Sequence, residues 1–586
     1  MQASLAAAPG LACVALARGK ATAGTDDGGI RLLFDGELYD RETLLERLNK
    51  NVAVAVGTDA DLCLQLLLEE GDGFVERLNG QFNLIVYRAA QRRLSIATDR
   101  FAYRPLFFTQ RGSRFLFATA MKAILAVIDK VPAVDGVGFL QLMRIGWPLG
   151  DRTWLGDIRV AAPGSWLHIT DERTSTSRYF RLRFEARDSK ASVQEHAAGL
   201  ADVLRRAVRR RMRAAERVGI GLSGGLDSRS LVLAAPRDDP PALTYTFGRA
   251  DSFDVTYARR IAEIAGVRHR HFAYARDHLT RILTGVVWLT EGLNPFAHVS
   301  LGSVAFHDHL AEEVDVLLYG HCGDCLTGAH LPSSIVMRRS RSGLIEDVFR
   351  QYNGVPEETL RRVVNEKFYR QHAGALREAT QDTFAGIEGE SLADVLDVWD
   401  IENRQRRGTF GSNAADRHRF EVRAPFLDND VVDHLRRARL SWRLLQVAYK
   451  RMLVTAFPEA ADVPWAYTGR RLSRGLAGDF VQQGINYVDR RLRRTAGDPR
   501  TFRDLAADTR GDAGFTQRLR DFAAHAHFPS EILNRDGLIE VVEAHASGRR
   551  NLTHLVVMLA TFAEAWRLFL FDSPTTIPAE LESVQT

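Results

Sequence analysis

Short apolar runs separated by turn residues fill the first 185 residues of the chain. Segments with helical character lie between these runs, at 41–48 and 61–69. Strands interleaved with helices are typical of a layered α/β sandwich. The polar stretch 170–177 closes the pattern, so we expect a first domain over 1–185. Its predicted strands include 30–34, 82–87, 94–98 and 115–119.

From residue 190 onward, buried strands and helices alternate. An arginine-rich helix at 193–215 leads into the apolar run 218–222, which predicts the first strand of a second domain. This order is typical of a doubly wound parallel sheet that binds its ligand at the carboxyl ends of the strands. Helical periodicity dominates to about residue 575, so we expect a domain over 190–586 with a helical extension. Further predicted elements are strands 242–247 and 314–319 and helix 256–264.

The length of 586 residues is too great for one hydrophobic core, which agrees with two large domains. The composition is that of a globular protein, and no apolar stretch in the sequence reaches the length of a membrane span. Residues 1–17 are apolar but lack a basic segment, which indicates a tail entering a strand rather than a signal peptide. We therefore expect a cytoplasmic protein with no membrane partner.

The formal net charge of +5 is modest and spread along the chain. It can attract nucleotides or acidic peptides but is too weak to indicate a nucleic-acid partner. Four cysteines in so long a chain exclude a disulfide framework and suit a reducing compartment. Cys322 and Cys325 form a C-x-x-C pair, yet no second Cys or His pair lies at zinc-binding spacing. We therefore expect no metal or redox role for these two thiols.

The sequence S-G-G-L-D-S at 223–228 lies between the predicted strand 218–222 and a segment of helical character at 231–235. A strand, a turn of small residues and a helix start form an anion-binding arrangement. Glycines let backbone N–H groups approach phosphate oxygens, and the helix dipole adds positive potential. Serine hydroxyls can donate, and Asp227 can hold Mg²⁺ against phosphates. The lysine of a Walker loop is missing, so another type of nucleotide loop is predicted.

This loop resembles the S-G-G-x-D-S loop of enzymes that split ATP into AMP and pyrophosphate. Four further segments resemble signatures of the asparagine synthetase superfamily. F-D-G-E-L-Y-D at 34–40 is similar to F-N-G-E-I-Y-N, and E-V-R-A-P-F-L-D at 421–428 is similar to E-x-R-x-P-F-L-D. E-R-L-N-G-Q-F at 76–82 and D-R-F-A-Y-R-P-L at 99–106 are similar to E-R-L-N-G-M-F and D-R-F-G-x-K-P-L.

The resemblance implies a glutaminase-like sandwich of the N-terminal-nucleophile (Ntn) type at 1–185. It implies an ATP-pyrophosphatase synthetase domain at 190–586, with ATP and Mg²⁺ as cofactors. Asp227 and Asp324 are the implied metal ligands, Asp324 matching the later Asp of the family's G-D-G-x-D motif. His321 replaces the earlier Asp, and a hydrogen-bonded loop residue is favoured there over a base or a ligand. The residues expected to contact ATP are Leu222, Ser223, Gly224, Gly225, Leu226, Asp227, Ser228, Thr246, Phe247 and Gly320.

The resemblance also implies four candidate catalytic residues. Glu421 matches a residue that helps to activate or position the attacking amine in some relatives, and a structural pair with Arg423 remains an equal alternative. Lys450 matches a helix lysine of the family. The family lysine that stabilises the adenylation transition state is missing from 463–472, where Arg470 and Arg471 are the only cations.

The glutaminase-like part lacks the residues of that chemistry. Gln2 stands where glutamine-using members carry the cysteine that becomes the N-terminal nucleophile. Cys13 would need removal of residues 1–12, and the glutamine-positioning H-R-G-P-D segment has no counterpart at 21–29. Asp59 or Asp61 could match the acidic residue that holds the glutamine amine. We expect no glutaminase activity and a domain that is structural or helps to hold a larger substrate.

Family members without the nucleophilic cysteine use an amine already present in the substrate, as in β-lactam synthetases and lasso peptide macrolactam synthetases. The P-W-A-Y-T-G-R-R-L run at 464–472 resembles the lasso version more closely. We therefore predict an AMP-forming macrolactam synthetase acting on a precursor peptide, with a leader-binding protein and a leader peptidase as possible partners. The alternatives are a β-lactam synthetase or another small-molecule amide ligase and, from a different class, an inactive scaffold that binds ATP or a peptide.

Overall fold

The structure is a computed structural model. It describes residues 29–48, 56–185, 191–213, 215–332, 335, 340–351, 355–474, 502–572, 577–578 and 581, together with three strands in the first 25 residues. Within these ranges, antiparallel sheets form the N-terminal part and a parallel sheet forms the C-terminal part.

The N-terminal strands form three antiparallel sheets. Their bounds are β1 Gln2–Ala8, β2 Leu11–Ala17, β3 Thr22–Thr25, β4 Ile30–Leu38, β5 Gly80–Arg88, β6 Arg93–Thr98, β7 Phe107–Arg111, β8 Arg114–Ala118, β9 Arg159–Val160, β10 Ser165–Ile169 and β11 Thr174–Arg178. The largest sheet has six strands in the order β11-β10-β6-β5-β4-β3, a second has the order β8-β7-β9, and β1 pairs with β2. The four strands predicted from the sequence are all present.

The six-stranded sheet is buried on both faces because apolar residues occupy successive positions of β5. Leu84 and Val86 pack on one side with Leu62 and Leu66 of the helix Asp59–Glu70. Ile85 lies in a separate core on the other side, against aromatic residues of β7 and β8. A helix layer and a second sheet thus cover the large sheet, and the predicted α/β sandwich is confirmed.

The C-terminal sheet is parallel throughout. Its strands are β12 Val218–Gly221, β13 Leu243–Phe247, β14 His269–Phe272, β15 Val316–Leu318 and β16 Glu421–Arg423. They lie in the order β14-β13-β12-β15-β16, so the direction of winding reverses between β12 and β15. Ligands of doubly wound sheets bind outside the carboxyl ends of the strands at such a switch point. The predicted doubly wound sheet is confirmed.

Helices surround both sets of sheets. Those up to the switch-point loops are α1 Arg41–Leu45, α2 Asp59–Glu70, α3 Met121–Leu125, α4 Gly136–Ile145, α5 Val193–Arg210, α6 Leu226–Ala234, α7 Phe253–Ala265, α8 His278–Thr290, α9 His307–Ala311 and α10 Gly323–Leu326. The next are α11 Ser342–Gln351, α12 Glu357–Val363, α13 Glu366–Asp382, α14 Leu392–Trp399, α15 Gly411–Asp416, α16 Asn429–Leu435, α17 Leu440–Arg443, α18 Val447–Ala456 and α19 Pro458–Ala461. The last are α20 Leu505–Gly511, α21 Ala513–Ala524, α22 Arg535–Ala546 and α23 Thr553–Leu570.

One predicted helix ends earlier in the structure than the sequence indicated, and one helix was not predicted. The helix predicted over 193–215 ends at Arg210, because the Arg211 side chain turns inward and donates to Asp428 Oδ2 over 2.6 Å. A π-helix, Asp400–Phe410, joins α14 to α15, and no sequence pattern predicted it. Such a helix is uncommon and often lies near a functional site.

The helical extension packs against the N-terminal part. One core holds Phe139 of α4 and Trp154 together with residues of α8, α21, α22 and α23. Among the described residues, α23 is the one helix long and apolar enough to cross a membrane by length and composition, which the sequence analysis did not find. Its apolar window is 78% buried inside the protein, so its surface is used in packing.

Candidate active site

The S-G-G-L-D-S loop leaves β12 at the switch point and enters α6. Three of its polar groups bond to each other or to a neighbouring helix. Ser223 N donates to Ser228 Oγ over 3.0 Å, and Gly225 N donates to Ser223 Oγ over 3.1 Å. Gly224 N donates to Asp254 Oδ1 of α7 over 2.9 Å. The glycine N–H groups are therefore used to hold the loop itself.

The N-terminal turn of α6 supplies the donors that face a ligand. Gly225 is the N-cap residue, and no side chain caps this helix. The first N–H groups of a helix have no intrahelical acceptor, and they concentrate the positive end of the helix dipole. The backbone of Leu226, Asp227 and Ser228 thus forms a cradle of the kind that binds phosphate. These are residues that the sequence predicts to contact ATP.

Two carboxylates meet at this helix end. Asp324 N, at the start of α10, donates to Asp227 Oδ2 over 2.9 Å. Burial raises the pKa of Asp227 well above its usual range, and the charge of Asp324 raises it further. The cost of placing two partly buried acids next to each other falls when a cation lies between them.

The oxygen ligands present fit Mg²⁺. No group of three or more His, Cys, Asp or Glu side chains in the described part of the chain could hold a metal ion. A pair of carboxylates nevertheless suits Mg²⁺, which keeps several waters and takes its remaining ligands from substrate phosphates. Asp227 and Asp324 would hold the ion at the carboxyl ends of β12 and β15.

Gly320 and Gly323 let the loop after β15 close over Asp227. A Cβ atom on Gly320 would lie 2.7 Å from the Asp227 Cβ, and one on Gly323 would lie 2.7 Å from its Cγ. Neither contact is sterically allowed, so both positions require glycine. Gly320, which the sequence predicts to contact ATP, therefore lies against Asp227, a predicted metal ligand.

Helix α18 supplies a residue that sequence reasoning missed. Tyr449 is buried, and its hydroxyl donates to Asp227 Oδ1 over 2.9 Å while also lying 3.0 Å from Ser230 Oγ. The neighbouring Lys450 is 3% exposed, and its Nζ lies 4.8 Å from the centre of the Trp465 ring. The one sequence signal for Tyr449 was its position directly before the predicted Lys450.

The segment that carries Arg470 and Arg471 docks onto the phosphate loop. Ala466 N donates to Gly224 O over 3.1 Å, and Trp465 N donates to Arg470 O over 2.9 Å in a tight turn. Arg470 is half-buried and Arg471 is exposed. The backbone thus brings both predicted cations to the side of the loop where Gly224 lies.

A buried arginine, Arg229, holds this arrangement together. Its guanidinium donates to Val463 O and to Pro464 O, each over 2.8 Å, and to Gly224 O over 3.4 Å. It is 0% exposed, and no carboxylate of the described residues forms an ion pair with it. No sequence signal marked this residue.

The predicted adenine edge lies at the end of β13. The Thr246 hydroxyl donates to Leu222 O, which ties the two strand ends together. The Phe247 ring lies 5.9 Å from both the Tyr274 ring and the Phe502 ring. The two predicted residues thus line an aromatic surface beside the phosphate loop.

A chain of charges that the sequence did not predict leads from Asp324 to the π-helix. His330 Nε2 lies 2.8 Å from Asp324 Oδ2, and its Nδ1 lies 2.8 Å from Asp400 Oδ2. Arg404 Nε donates to Asp400 Oδ1 over 2.6 Å. Burial opposes charge on both partners, but the pairing lowers the pKa of Asp324 to about 2 and raises that of His330 to about 10. A cationic imidazole therefore lies next to the predicted metal ligand.

Glu421 pairs with Arg104 of the N-terminal part, so the alternative that it pairs with Arg423 is wrong. Arg423 instead pairs with Glu37 and Glu216. Glu421 and Arg423 are two residues apart in β16 and share one face of the strand. That face meets the N-terminal part, which supplies Arg104 to Glu421 and Glu37 to Arg423.

Other predicted candidates have structural partners. Cys322 and Cys325 are both buried, and the Cys325 thiol lies 3.6 Å from Cys322 O. Asp61 completes the capping box of α2 with Thr58, and Asp59 pairs with Arg41 over 3.2 Å. These contacts account for each side chain without a metal or glutamine.

Family models match both parts of the chain. The model described as "Asparagine synthase" matches residues 199–566, and the one described as "Glutamine amidotransferase domain" matches residues 5–180. The chain belongs to the asparagine synthase family. It is thus a member of a family of ATP-dependent amide ligases.

Curated relatives extend the same similarity. The chain is 25% identical over 444 residues to "Asparagine synthetase [glutamine-hydrolyzing] 3" of Bacillus subtilis, a match that covers 69% of each protein. It is 27% identical over 310 residues to a "Putative asparagine synthetase [glutamine-hydrolyzing]" of Mycobacterium bovis, covering 51% of this chain and 47% of that protein. The chain spans about half the length of the mycobacterial relatives it matches.

Among solved structures, a glutamine phosphoribosylpyrophosphate amidotransferase of B. subtilis matches with 13% identity and a TM-score of 0.20. The match covers 42% of this chain and 46% of that one. A likeness this low supports no statement about function.

Proposed function

We propose that this protein is an ATP-dependent macrolactam synthetase of lasso peptide biosynthesis. It activates an Asp or Glu side-chain carboxylate of a ribosomal precursor peptide as its adenylate and closes it onto the peptide's N-terminal amine. The observation that carries the amide-ligase part is that Asp227, in the first turn of the uncapped helix α6, accepts from Asp324 N, which brings the two acidic residues together. The peptide substrate is supported by the lasso-like segment 464–472, which docks on Gly224.

The chain's own residues have distinct roles in this proposal. The first turn of α6 binds phosphate oxygens. Asp227 and Asp324 would hold Mg²⁺, which would supply positive charge to stabilise the departing pyrophosphate. The substrate carboxylate oxygen bonds to the α-phosphorus as pyrophosphate leaves. The amine nitrogen then bonds to the acyl carbon, AMP leaves, and the amine proton passes to solvent. Lys450, Arg470 and Arg471 are the candidates for the cation that neutralises charge on the α-phosphate.

A peptide α-amine suits an enzyme without glutaminase chemistry. Its pKa of about 7.7–8 leaves on the order of a tenth of it neutral at pH 7, whereas a lysine amine is neutral in well under a thousandth. The harder task is to exclude water and hold amine and carbonyl together, which orientation in an enclosed site achieves. The position of Cys13 also agrees with an enzyme that lacks glutaminase chemistry, because Cys13 lies inside β2 and pairs with Ala6 of β1.

The proposal is tested with a leaderless core peptide carrying Asp or Glu several residues in, together with ATP and Mg²⁺. The expected product is lighter than the peptide by one water and resists Edman degradation, because its α-amine has become an amide. AMP and pyrophosphate should appear, and release of ADP with orthophosphate would contradict the loop assignment. Adding a leader-binding protein and a leader peptidase tests whether the full precursor needs them.

The control is the same peptide acetylated at its N-terminus. Product should disappear while carboxylate-dependent pyrophosphate exchange continues, since adenylation precedes attack by the amine. Closure of a β-amino acid to a β-lactam with no peptide turned over would favour a small-molecule ligase instead. Glutamine hydrolysis abolished by Cys13→Ala would show that the N-terminal part is an active glutaminase.

A further inference from the structure

One loop of the N-terminal part touches the synthetase sheet at two neighbouring points. This loop, 99–106, carries Tyr103, whose hydroxyl lies 3.1 Å from His321 Nδ1. The next residue, Arg104, pairs with Glu421 of β16. Arg417 Nη2 also donates to Tyr103 O over 2.8 Å. The loop is thus bonded to the synthetase side through backbone and side chains.

The loop is held rigidly from its own side. Asp99 is buried, and its carboxylate accepts from Phe101 N over 2.9 Å and from Tyr103 N over 3.1 Å. It also accepts from Phe82 N of β5 over 3.2 Å. Tyr103 is 0% exposed, and its ring packs 4.9 Å from the Phe410 ring. The hydroxyl is therefore presented to His321 from a preorganised position.

On the other side of the Tyr103–His321 contact lies the segment 320–324, which carries Asp324, one of the two proposed metal ligands. His321 lies between Gly320 and Asp324. This segment packs so closely on Asp227 that a Cβ atom added to Gly320 or Gly323 would overlap it. The hydrogen bond from Asp324 N to Asp227 Oδ2 is 2.9 Å. His321 and Asp324 therefore belong to one short segment that packs closely against Asp227.

We propose that Tyr103 is a positioning residue contributed by the N-terminal part to the synthetase site. By bonding His321, it holds the segment 320–324 so that Asp324 and Asp227 face one metal ion. This inference rests on the proposed function, which assigns the two carboxylates to the metal. It gives the glutaminase-like part a task in amide formation that needs no glutamine.

The test measures metal binding directly, without turnover. Mn²⁺ is titrated into the full chain with α,β-methylene-ATP, which cannot be cleaved between the α- and β-phosphates, and free Mn²⁺ is read by electron paramagnetic resonance. Tyr103→Phe removes only the hydroxyl and should weaken Mn²⁺ binding about fivefold to tenfold, on the order of one hydrogen bond. The matched control is Tyr369→Phe, a buried tyrosine of α13 whose hydroxyl interacts with Glu357. It should bind Mn²⁺ like the parent.

A double-mutant cycle assigns the effect to the contact itself. His321→Phe keeps a ring among its aromatic neighbours and removes both nitrogens. If Tyr103 acts through His321, the double variant should bind Mn²⁺ no more weakly than the weaker single variant. Independent, multiplying effects would contradict the proposal, as would Mn²⁺ affinity within twofold of the parent in Tyr103→Phe.

Failure of the inference is distinct from failure of the proposed function. A parent protein that binds no Mn²⁺ with the nucleotide, or an Asp227→Asn variant that binds it unchanged, would remove the metal assignment itself. A parent that binds Mn²⁺ through Asp227 while Tyr103→Phe is unaffected would overturn only the role of Tyr103. Urea titration of each variant shows whether its fold is intact.

Discussion

Asp227 receives contacts from two separate parts of the chain, α18 and the segment 320–324. Tyr449 of α18 donates to one carboxylate oxygen and the backbone of Asp324 donates to the other. Gly320 and Gly323 leave no room for a side chain on the loop above it. These two hydrogen bonds hold the carboxylate in place in the first turn of α6. This is the arrangement expected of a metal ligand that must be in place before substrate arrives.

We predict that Asp227→Asn and Asp324→Asn each lower turnover by at least about 10²-fold, the usual cost of losing a main electrostatic stabiliser. Each change keeps the shape of the side chain and removes its charge. Amide formation and pyrophosphate exchange should fall together, because both need the metal. The matched control is Asp308→Asn, an exposed residue of α9 that lies 3.8 Å from Arg419. A variant within a few-fold of the parent would place the metal elsewhere.

At the scale of elements, two loops at the switch point have to approach each other closely. The loop after β12 brings Asp227, and the loop after β15 brings Gly320 against it. A Cβ on Gly320 would also lie 3.0 Å from the Asp227 backbone carbon, so the clash cannot be relieved by a side-chain rotation. The separation of the two loops is therefore set by glycine.

We predict that Gly320→Ala abolishes Mn²⁺ and nucleotide binding with the fold retained. Circular dichroism should remain that of the parent, while calorimetric titration with Mn²⁺ and α,β-methylene-ATP shows no binding. The control is Gly374→Ala in the interior of α13, where no atom lies within 4 Å of an added Cβ. That change should leave binding unaltered and stabilise the helix by up to about 1 kcal/mol. Normal binding by Gly320→Ala would show that the two loops can separate without cost.

Arg229 joins α6 to the segment that follows α19 through hydrogen bonds to carbonyl groups. We predict that Arg229→Lys lowers the free energy of unfolding by about 2–3 kcal/mol, because a single ammonium cannot reach all of these buried carbonyls. Urea titration measures the change. Arg260→Lys on the surface of α7 should change it by less than about 0.5 kcal/mol. An equal effect of the two substitutions would mean that solvent reaches the carbonyls around Arg229.

Over the whole molecule, the two parts meet through a buried ion network built from the signature segments. Glu37 of β4 accepts from Arg423 Nε over 2.7 Å, and Arg423 also pairs with Glu216. Asn79 Nδ2 donates to Asp428 Oδ2 over 3.1 Å. Removing one member of such a network leaves its partner charged and buried, which is strongly destabilising. The signatures near residues 34–40 and 421–428 thus serve the contact between the parts.

This network makes stability depend on pH. Burial would raise the pKa of Glu37, but the hydrogen bond and charge of Arg423 lower it from 4.5 to about 2. A carboxyl group whose pKa is lowered in the folded state stabilises the fold above pH 4.5, and this stabilisation is lost as the pH falls from there toward 2. Between pH 7 and pH 4, we expect Glu37 to account for a loss of about 1 kcal/mol.

The measurement is the free energy of unfolding at pH 7 and pH 4, for the parent and for Glu37→Gln. The parent should lose about 1 kcal/mol more than the variant between these two values. Glu531→Gln, at an exposed position, should lose as much as the parent does. Equal losses in the parent and Glu37→Gln would show that Glu37 titrates normally in the folded protein.

The sequence by itself determined the features that depend on neighbours along the chain. Alternation of apolar runs and helical segments predicted the sandwich and the parallel sheet. A strand or helix that packs on a layer must repeat its apolar residues at the spacing of that element, so the pattern is visible in the sequence. The S-G-G-L-D-S loop was predictable for the same reason, since a strand, small residues and a helix start create the phosphate cradle locally. The family signatures added Asp324, which no local pattern would have joined to Asp227.

Only the tertiary structure decided which distant side chains meet. Glu421 pairs with Arg104 and not with the nearby Arg423, and Arg229 bonds to carbonyls more than 200 residues away. His330 lies between Asp324 and the π-helix, a helix type without a sequence period. Such contacts are set by how sheets and helices stack, because a side chain's partner is whatever the packed neighbour presents. A linear pattern carries no information about that neighbour until the layers are assembled.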